Sequence, residues 1–190
     1  PMNSILGFGQ LLQMGELTPV QEKGVQHILD SGKHLLNLIN EVLNISRIEL
    51  GTMKYSFEKI DLRDLVNDVI GELKPNIEKK GLEFNVMVNS TGINTRFMVR
   101  ADKDKIKQVI SNLIDNSVKY TPSGSIKVSL DKDTSRRKIL ISIKDTGVGI
   151  SPDVMPKLFS KFVRADNANK QNIFGTGLGL YIASQIALAH

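Results

Sequence analysis

Two asparagines and a lysine occur at helical spacing within residues 112–120. Asn112 and Asn116 are four residues apart, so their amides lie on one face of a helix. An amide oxygen is a hard, neutral ligand that suits Mg²⁺ when the ion keeps waters and shares phosphate oxygens. On the same face Lys119 can meet phosphate charge, and the ring of Tyr120 can stack on a base. The spacing also fits a helix that merely exposes polar residues to solvent.

A carboxylate precedes two glycines in residues 145–150, where an alternating apolar strand ends. Asp145 can accept a hydrogen bond from an exocyclic amino group. Adenine presents such a group, whereas guanine presents an oxygen at the matching position and would be repelled. Gly147 and Gly149 allow a ligand to approach the backbone closely. Alone, the segment also fits a common Asp-Thr-Gly turn.

A glycine cluster in residues 175–180 opens the last predicted helix. Glycines at a helix start expose backbone N–H groups to an anion, and the helix dipole assists. No βαβ unit precedes the cluster, as a dinucleotide-binding fingerprint requires, and no Gly-Lys-Ser/Thr follows, as a P-loop requires. Alone, the cluster also fits the hinge of a flexible lid.

The elements that carry these segments follow a helical hairpin in residues 1–48. Thr18 as cap, Pro19 at the first helical position and Gln21 at the third predict the start of the second helix. Its apolar residues recur every seven positions, as in a bundle seam: Ile28, Leu35 and Val42, with Leu29, Leu36 and Leu43. We expect a homodimeric four-helix bundle, or alternatively a hairpin packed on the rest of the chain.

From about residue 53 strands and helices mix without strict βαβ alternation, which favours the α+β class. Asp61 and Asp102 are predicted to cap helices that end near residues 80 and 118, and Pro75 to kink or interrupt the first. A last helix is predicted over residues 178–189. Strands are predicted over residues 55–60, 82–88, 97–99, 125–130 and 138–144.

The composition excludes several classes of protein. Hydrophobic residues make up 41% and charged residues 24%, near the average of globular chains, and no apolar run approaches the roughly 18 residues of a spanning helix. The absence of cysteine excludes disulfides, thiolate catalysis and zinc–sulfur sites. A net charge of +5 without a basic, aromatic-lined patch argues against nucleic acid, whereas an anionic small ligand or an acidic protein fits.

Together, in this order, the segments resemble those of the sensor histidine kinases of two-component systems. Residues 112–120, 145–150 and 175–180 resemble the N box, G1 box and G2 box of that family's ATP-binding domain, and residues 158–164 look like its F box. Residues 1–8 match the end of the phosphoacceptor box, H-E-x-R-T-P-x-N-x-I-x-G, and residues 31–36 and 46–49 match its second hairpin helix.

The resemblance implies a dimerisation and phosphoacceptor hairpin in residues 1–52. A layered α/β-sandwich ATP-binding domain of the histidine kinase and gyrase type would follow in residues 53–190. The γ-phosphate of ATP would pass to a histidine, and then to an aspartate on a response regulator. Catalysis would be mostly positioning and charge neutralisation. The resemblance implies a cytoplasmic location for this chain and leaves membrane anchoring of the full-length protein open.

The resemblance also implies roles for single residues. Asp145 would bind the adenine amino group, Tyr120 would pack on the base, and Ile150 would line its pocket. Asn116 would ligate Mg²⁺ with support from Asn112. Lys119 would contact phosphate, and Arg164 would approach the γ-phosphate when a lid over residues 151–174 closes. The remaining nucleotide-binding residues would let the backbone approach the ligand or follow its phosphates: Gly147, Gly149, Gly175, Gly177, Leu178 and Gly179.

The chain departs from the family at both ends. It begins at the proline of H-E-x-R-T-P, which places the phosphoacceptor upstream of residue 1, and two final strands of the family are expected beyond residue 190. As written, the chain is expected to bind ATP but not to phosphorylate itself. The histidines of the chain are expected to be packing or surface residues: His27, His34 and His190.

Two other functions compete with a kinase. ATPases of the gyrase and mismatch-repair type place a glutamate four residues before the magnesium asparagine, as a base for water. Asn112 occupies that position here. The other alternative is a nucleotide-regulated dimerisation scaffold, against which the intact Asn116, Lys119 and Asp145 argue. Phosphate transfer to a supplied histidine-bearing hairpin distinguishes a kinase from both.

Overall fold

The computed structural model describes residues 1–89, 96–133, 135, 138–163 and 175–190, with Asn89 described by its backbone alone. The chain divides into two compact units, Pro1–Met53 and Lys54–His190. Among the helices of the described ranges, none has both the length and the hydropathy needed to cross a membrane.

The first unit is a hairpin of two helices, α1 (Met2–Gln13) and α2 (Pro19–Glu49). The predicted start of α2 is confirmed. The Thr18 hydroxyl accepts from the backbone N–H of Gln21, while the Gln21 side chain accepts from the backbone N–H of Thr18 at 2.9 Å. This reciprocal capping box satisfies two donors that the helix leaves unpaired.

Two glycines let α1 and α2 approach closely. A Cβ on Gly9 would lie 2.7 Å from Leu29 Cδ2, and one on Gly32 would lie 2.9 Å from Leu6 Cδ2. The row of α2 that contains Val25 and Leu29 is buried in this contact. A second apolar row is exposed by 43–52% of its area in this chain: Ile28, Leu35, Ile39, Val42 and Leu43. The hairpin therefore covers only one of the two rows.

The second unit contains five strands and three helices among the described residues, besides a short 3-10 helix at Met155–Lys157. Its strands are β1 (Glu58–Asp61), β2 (Glu83–Asn89), β3 (Met98–Ala101), β4 (Ser125–Asp133) and β5 (Lys138–Asp145). Its helices are α3 (Leu62–Lys79), α4 (Lys103–Tyr120) and α5 (Gly179–Ala189). Every helix and strand predicted for this region is present, with shifted ends.

The strands form two sheets. β1 pairs antiparallel with β3, while β4 lies between β2, to which it is parallel, and β5, to which it is antiparallel. Buried side chains of α3, α4 and β4 form the core, with fully buried members such as Val66, Ile114 and Ile126. Ile139, Ile141 and Ile143 of β5 pack against this core, as expected for the alternating apolar strand that ends at Asp145.

Aspartates begin α3 and α4, as predicted. Asp61 accepts from the backbone of Arg63 at 3.0 Å, and Asp102 accepts from that of Lys105 at 3.0 Å. Burial of Asp102 opposes its ionisation, but hydrogen bonds from the backbone of Ser56 and Lys105, together with nearby positive charge, outweigh this and lower its pKa.

Of the kink or interruption predicted for α3 at Pro75, the interruption is wrong. The helix continues from Leu62 to Lys79 with Pro75 inside it. Proline removes one backbone hydrogen bond, but Val69 and Ile77 on either side of it are buried in the core. Tertiary packing of the apolar face therefore outweighs the local preference.

We expect Gly71→Ala in α3 to raise the free energy of unfolding by about 0.5–1 kcal/mol, because alanine loses less backbone entropy than glycine. A Cβ at Gly71 would have no neighbour within 4 Å. Urea unfolding followed by tyrosine fluorescence isolates the second unit, since all three tyrosines lie in it and tryptophan is absent: Tyr55, Tyr120 and Tyr181.

Gly81→Ala is the matched control for this substitution. Its surroundings are equally open, but its φ of +65° is a left-handed conformation that costs alanine about 1 kcal/mol. Opposite signs for the two substitutions are expected. A Gly71→Ala chain that unfolds at lower urea than wild type would contradict the prediction.

Candidate functional site

A side-chain amide joins the N box to the G2 box. Asn112 Nδ2, on α4, donates to the carbonyl oxygen of Gly179 at 3.2 Å, at the start of α5. The two segments lie 67 residues apart in the chain. The bond places the amide face of α4 beside the N-terminus of α5.

Both oxygens of the Asp145 carboxylate are hydrogen-bonded. Oδ1 accepts from the backbone N–H of Gly147 at 3.0 Å, and Oδ2 accepts from the hydroxyl of Ser117 at 3.3 Å. Each carboxylate oxygen retains capacity for another donor. Asp145 is half-buried and Ser117 is buried. The second bond brings the G1 box against the N box.

Sequence reasoning missed Ser117. A serine inside a helix carries no signal of its own, because its usual partner is a carbonyl of the same helix. Its position one residue after Asn116 was the only available clue.

The two positions of the G1 box that hold glycine require it for different structural reasons. A Cβ on Gly147 would overlap the carbonyl oxygen of Tyr120 and lie 2.9 Å from both Asp145 Oδ1 and Thr121 Oγ1. Gly149 instead has a φ of +69° and no atom within 4 Å of a Cβ. Gly147 is therefore required by close packing, and Gly149 by its backbone conformation.

The end of α4 is tied to this turn. The carbonyl oxygen of Tyr120 accepts from the backbone N–H of Val148 at 3.1 Å. The next residue, Thr121, is fully buried, and its hydroxyl has no hydrogen-bond partner among the described residues. A polar but unsatisfied position thus lies at the inner wall of the turn.

The predicted phosphate lysine has a partner on its own helix. Lys119 Nζ lies 2.6 Å from Asp115 Oδ2, and both side chains are more than a third exposed. Such exposed i,i+4 pairs contribute little stability, so the ammonium group can be redirected to an anion at little cost. Asn116 and Tyr120 are half-buried on the same helix.

The N-terminus of α5 offers unpaired donors. Leu178 makes no side-chain cap, and the first turn contains no acid. The first N–H groups of the helix lack intrahelical acceptors and carry partial positive charge, which suits an anion. The side chain of Leu178 is itself buried, at 1% exposure, and its backbone N–H donates to the Thr176 hydroxyl at 3.1 Å. The unpaired donors are therefore those of the residues that follow Leu178.

The F box and the G2 box are in contact. The backbone N–H of Phe162 donates to the carbonyl oxygen of Gly177 at 3.0 Å. Both residues have positive φ, and a Cβ on Gly177 would lie 2.9 Å from the Phe162 backbone. Gly175 has open space on its Cβ side, and Ile150 is 49% exposed. Arg164 lies outside the described residues.

An all-carboxylate metal site is missing from the part of the chain that the structure describes. No group of three or more histidine, aspartate or glutamate side chains there could hold a cation. The neutral amide oxygen of Asn116 is of the type that suits an ion taking most of its ligands from phosphate and water.

Two family models match the chain in succession. Residues 1–51 match the His Kinase A (phospho-acceptor) domain. Residues 101–190 match the histidine kinase-, DNA gyrase B- and HSP90-like ATPase.

Similar proteins cover nearly all of the chain. The sensor protein GacS of Pseudomonas syringae pv. syringae is 36% identical over 189 residues, which is 98% of this chain and 20% of that protein. The autoinducer 2 sensor kinase/phosphatase LuxQ of Vibrio cholerae serotype O1 is 34% identical over 188 residues, 98% of this chain and 22% of that protein. The chain thus spans about a fifth of the length of these relatives.

Solved structures agree with the fold. Full-length ShkA in complex with AMPPNP superposes with a TM-score of 0.78 at 31% identity, covering 100% of this chain and 38% of that one. The Acinetobacter baumannii histidine kinase AdeS gives a TM-score of 0.68 at 23% identity, covering 99% of this chain and 84% of that one.

Proposed function

The chain belongs to the sensor histidine kinase family, and we propose that it binds Mg-ATP and transfers the γ-phosphate to a histidine of a phosphoacceptor hairpin, for relay to a response-regulator aspartate. The supporting observation is the convergence of three separate segments at one site. Ser117 reaches Asp145, and Asn112 reaches Gly179. Taken singly, each segment has an ordinary structural explanation. Taken together, the three segments would place hydrogen-bond acceptors for a base beside hydrogen-bond donors for phosphates.

Base recognition would rest on Asp145. Its carboxylate accepts two hydrogen bonds from the protein, which hold its plane, and its remaining lone pairs can accept from an adenine amino group. Tyr120 and the exposed Ile150 would flank the base. The open space above Gly149 would let the ligand approach the backbone.

Phosphate binding would use the face of α4 and the start of α5. Asn116, supported by Asn112, would hold Mg²⁺ through its amide oxygen. When bound, the ion would neutralise charge on the phosphate oxygens. Lys119, freed from Asp115, and the N–H groups that follow Leu178 would bind phosphate, together with the backbone of Gly175, Gly177 and Gly179 and the side chain of Arg164.

Homodimerisation is the proposed use of the hairpin. The exposed row of α2 that begins at Ile28 is apolar along four turns or more, and the hairpin alone leaves it open to water. Packing a second copy against it would complete a four-helix bundle. The domains expected from the sequence, residues 1–52 and 53–190, would then serve dimerisation and ATP binding respectively.

The geometry favours a kinase over a gyrase-type ATPase. A water-activating base is absent from the position four residues before Asn116, where the Asn112 side chain donates to Gly179. An amide in that bond has no basicity with which to activate water.

We expect Asn116→Ala to abolish the tightening of ATP binding by magnesium, which in the wild type is expected to be about tenfold, or about 1.4 kcal/mol. Calorimetric titration with ATP in magnesium and in EDTA measures this ratio. Asn67→Ala, an exposed amide on α3, is the matched control. Equal tightening in Asn116→Ala and wild type would reject the metal assignment.

Activity is tested with the natural acceptor supplied separately. The chain is mixed with radiolabelled Mg-ATP and a hairpin that carries the complete H-E-x-R-T-P sequence, and acid-labile label on the hairpin is measured. Label that depends on the histidine and is lost with Asn116→Ala supports the kinase. Nucleotide binding without transfer would support the scaffold, and phosphate released to water without labelled hairpin would support an ATPase.

A further inference from the structure

We propose that Ser117 is a positioning residue that sets base selectivity by holding the Asp145 carboxylate in the orientation that accepts a 6-amino group. The inference rests on the proposed adenine role of Asp145 and adds a residue and a mechanism to it. Ser117 does not itself contact the base in this proposal.

The geometry shows a carboxylate held from two sides. Ser117 Oγ, on α4, lies 3.3 Å from Asp145 Oδ2, and the Gly147 backbone N–H lies 3.0 Å from Oδ1. Ser117 is 7% exposed, so its hydroxyl has little access to competing water. One donor comes from the helix and the other from the turn after β5, so together they restrict rotation of the carboxylate about both of its side-chain torsions.

The hydrogen bond from Ser117 to Asp145 is not the one usually made by a serine inside a helix. A helical serine commonly bonds a carbonyl of its own helix, as Ser184 does with the Tyr181 oxygen at 2.8 Å. Thr121, four residues after Ser117 and also buried beside the G1 turn, has a hydroxyl without a partner among the described residues. Of these two neighbouring hydroxyls, only that of Ser117 is bonded to the carboxylate.

Selectivity follows from the fixed orientation. A carboxylate only accepts hydrogen bonds. A base with a 6-amino group therefore gains a hydrogen bond, whereas a base without it leaves a carboxylate oxygen unpaired. The gain depends on where the lone pair points. Without Ser117, the half-buried Asp145 is held only at Oδ1 and can turn Oδ2 toward water. The resulting loss of binding affinity affects only bases that carry the amino group.

The test compares two nucleotides that differ at one group. Dissociation constants for Mg-ATP and for purine riboside triphosphate, which has hydrogen in place of the 6-amino group, are measured by calorimetry. We expect Ser117→Ala to reduce the preference for ATP by about 3- to 10-fold, chiefly through weaker ATP binding, as for partial loss of one charged hydrogen bond. Ser184→Ala, which removes a hydroxyl bonded within α5, should keep the wild-type preference.

The possible outcomes distinguish the role of Ser117 from that of Asp145. If Ser117→Ala weakens both nucleotides equally, or changes neither, Ser117 has no positioning role and the inference is overturned while the adenine assignment remains. If the wild type binds both nucleotides equally well, the proposed role of Asp145 fails first. Near-ultraviolet circular dichroism of the tyrosines confirms that each variant keeps the fold of the second unit.

Discussion

Asp145→Asn is expected to weaken ATP binding by about 10- to 100-fold, equivalent to about 1.4–2.7 kcal/mol. The amide has nearly the shape of the carboxylate, so the fold should be retained. Its oxygen is needed by the Gly147 N–H, which leaves its NH₂ group where Oδ2 stood. That group can donate to the Ser117 hydroxyl. It cannot accept from the amino group of adenine, because both groups are hydrogen-bond donors.

The same substitution should change the preferred base. An NH₂ group at the Oδ2 position can donate to a 6-oxo base, so binding of GTP relative to ATP should rise in Asp145→Asn. Calorimetric titration with Mg-ATP and Mg-GTP measures both effects, and Asp64→Asn, an exposed acid on α3, controls for the loss of one charge. Unchanged ATP affinity in the variant would remove Asp145 from base recognition.

Gly147→Ala is expected to lower the free energy of unfolding of the second unit by about 2–3 kcal/mol, because overpacking against fixed atoms forces the backbone to move. The new methyl would overlap the carbonyl of Tyr120, which is already held by Val148. Its other neighbours are Asp145 Oδ1 and Thr121 Oγ1, at 2.9 Å each. The substitution should therefore also displace the carboxylate and weaken ATP binding at least tenfold.

Gly149→Ala distinguishes packing from backbone conformation in the same turn. Its methyl meets no atom within 4 Å, and only the φ of +69° is unfavourable, with a cost of about 1 kcal/mol. Urea unfolding followed by tyrosine fluorescence ranks the two variants. Equal destabilisation would mean that the turn is looser than its contacts indicate, and that Gly147 is not required by packing.

Local signals were enough for most of the elements. Asp61, Asp102 and Thr18 cap helices as their sequence context predicted, because a cap is an interaction between a side chain and N–H groups within three residues. The absence of the predicted interruption at Pro75 has the opposite explanation. Its effect depends on how firmly the flanking turns are packed, and that information is distant in the sequence.

The sequence predicted the residues of the candidate site but not the hydrogen bonds between its segments. The types and spacing of Asn112, Asn116 and Asp145 indicated amide, metal and base chemistry, and resemblance to a family supplied their joint meaning. The Asn112–Gly179 bond joins residues 67 positions apart, and the Ser117–Asp145 bond joins residues 28 apart. Neither has a local signature.

By itself the sequence determined the periodicity of the helices and strands, their caps, the α+β class and the candidate residues for nucleotide binding, because these depend on near neighbours or on residue chemistry. Only the tertiary structure decided that Ser117 holds Asp145, that Thr121 is left without a partner among the described residues, and that Gly147 has no room for a side chain. These properties arise where α4 meets the turn after β5, and such contacts depend on how the core packs.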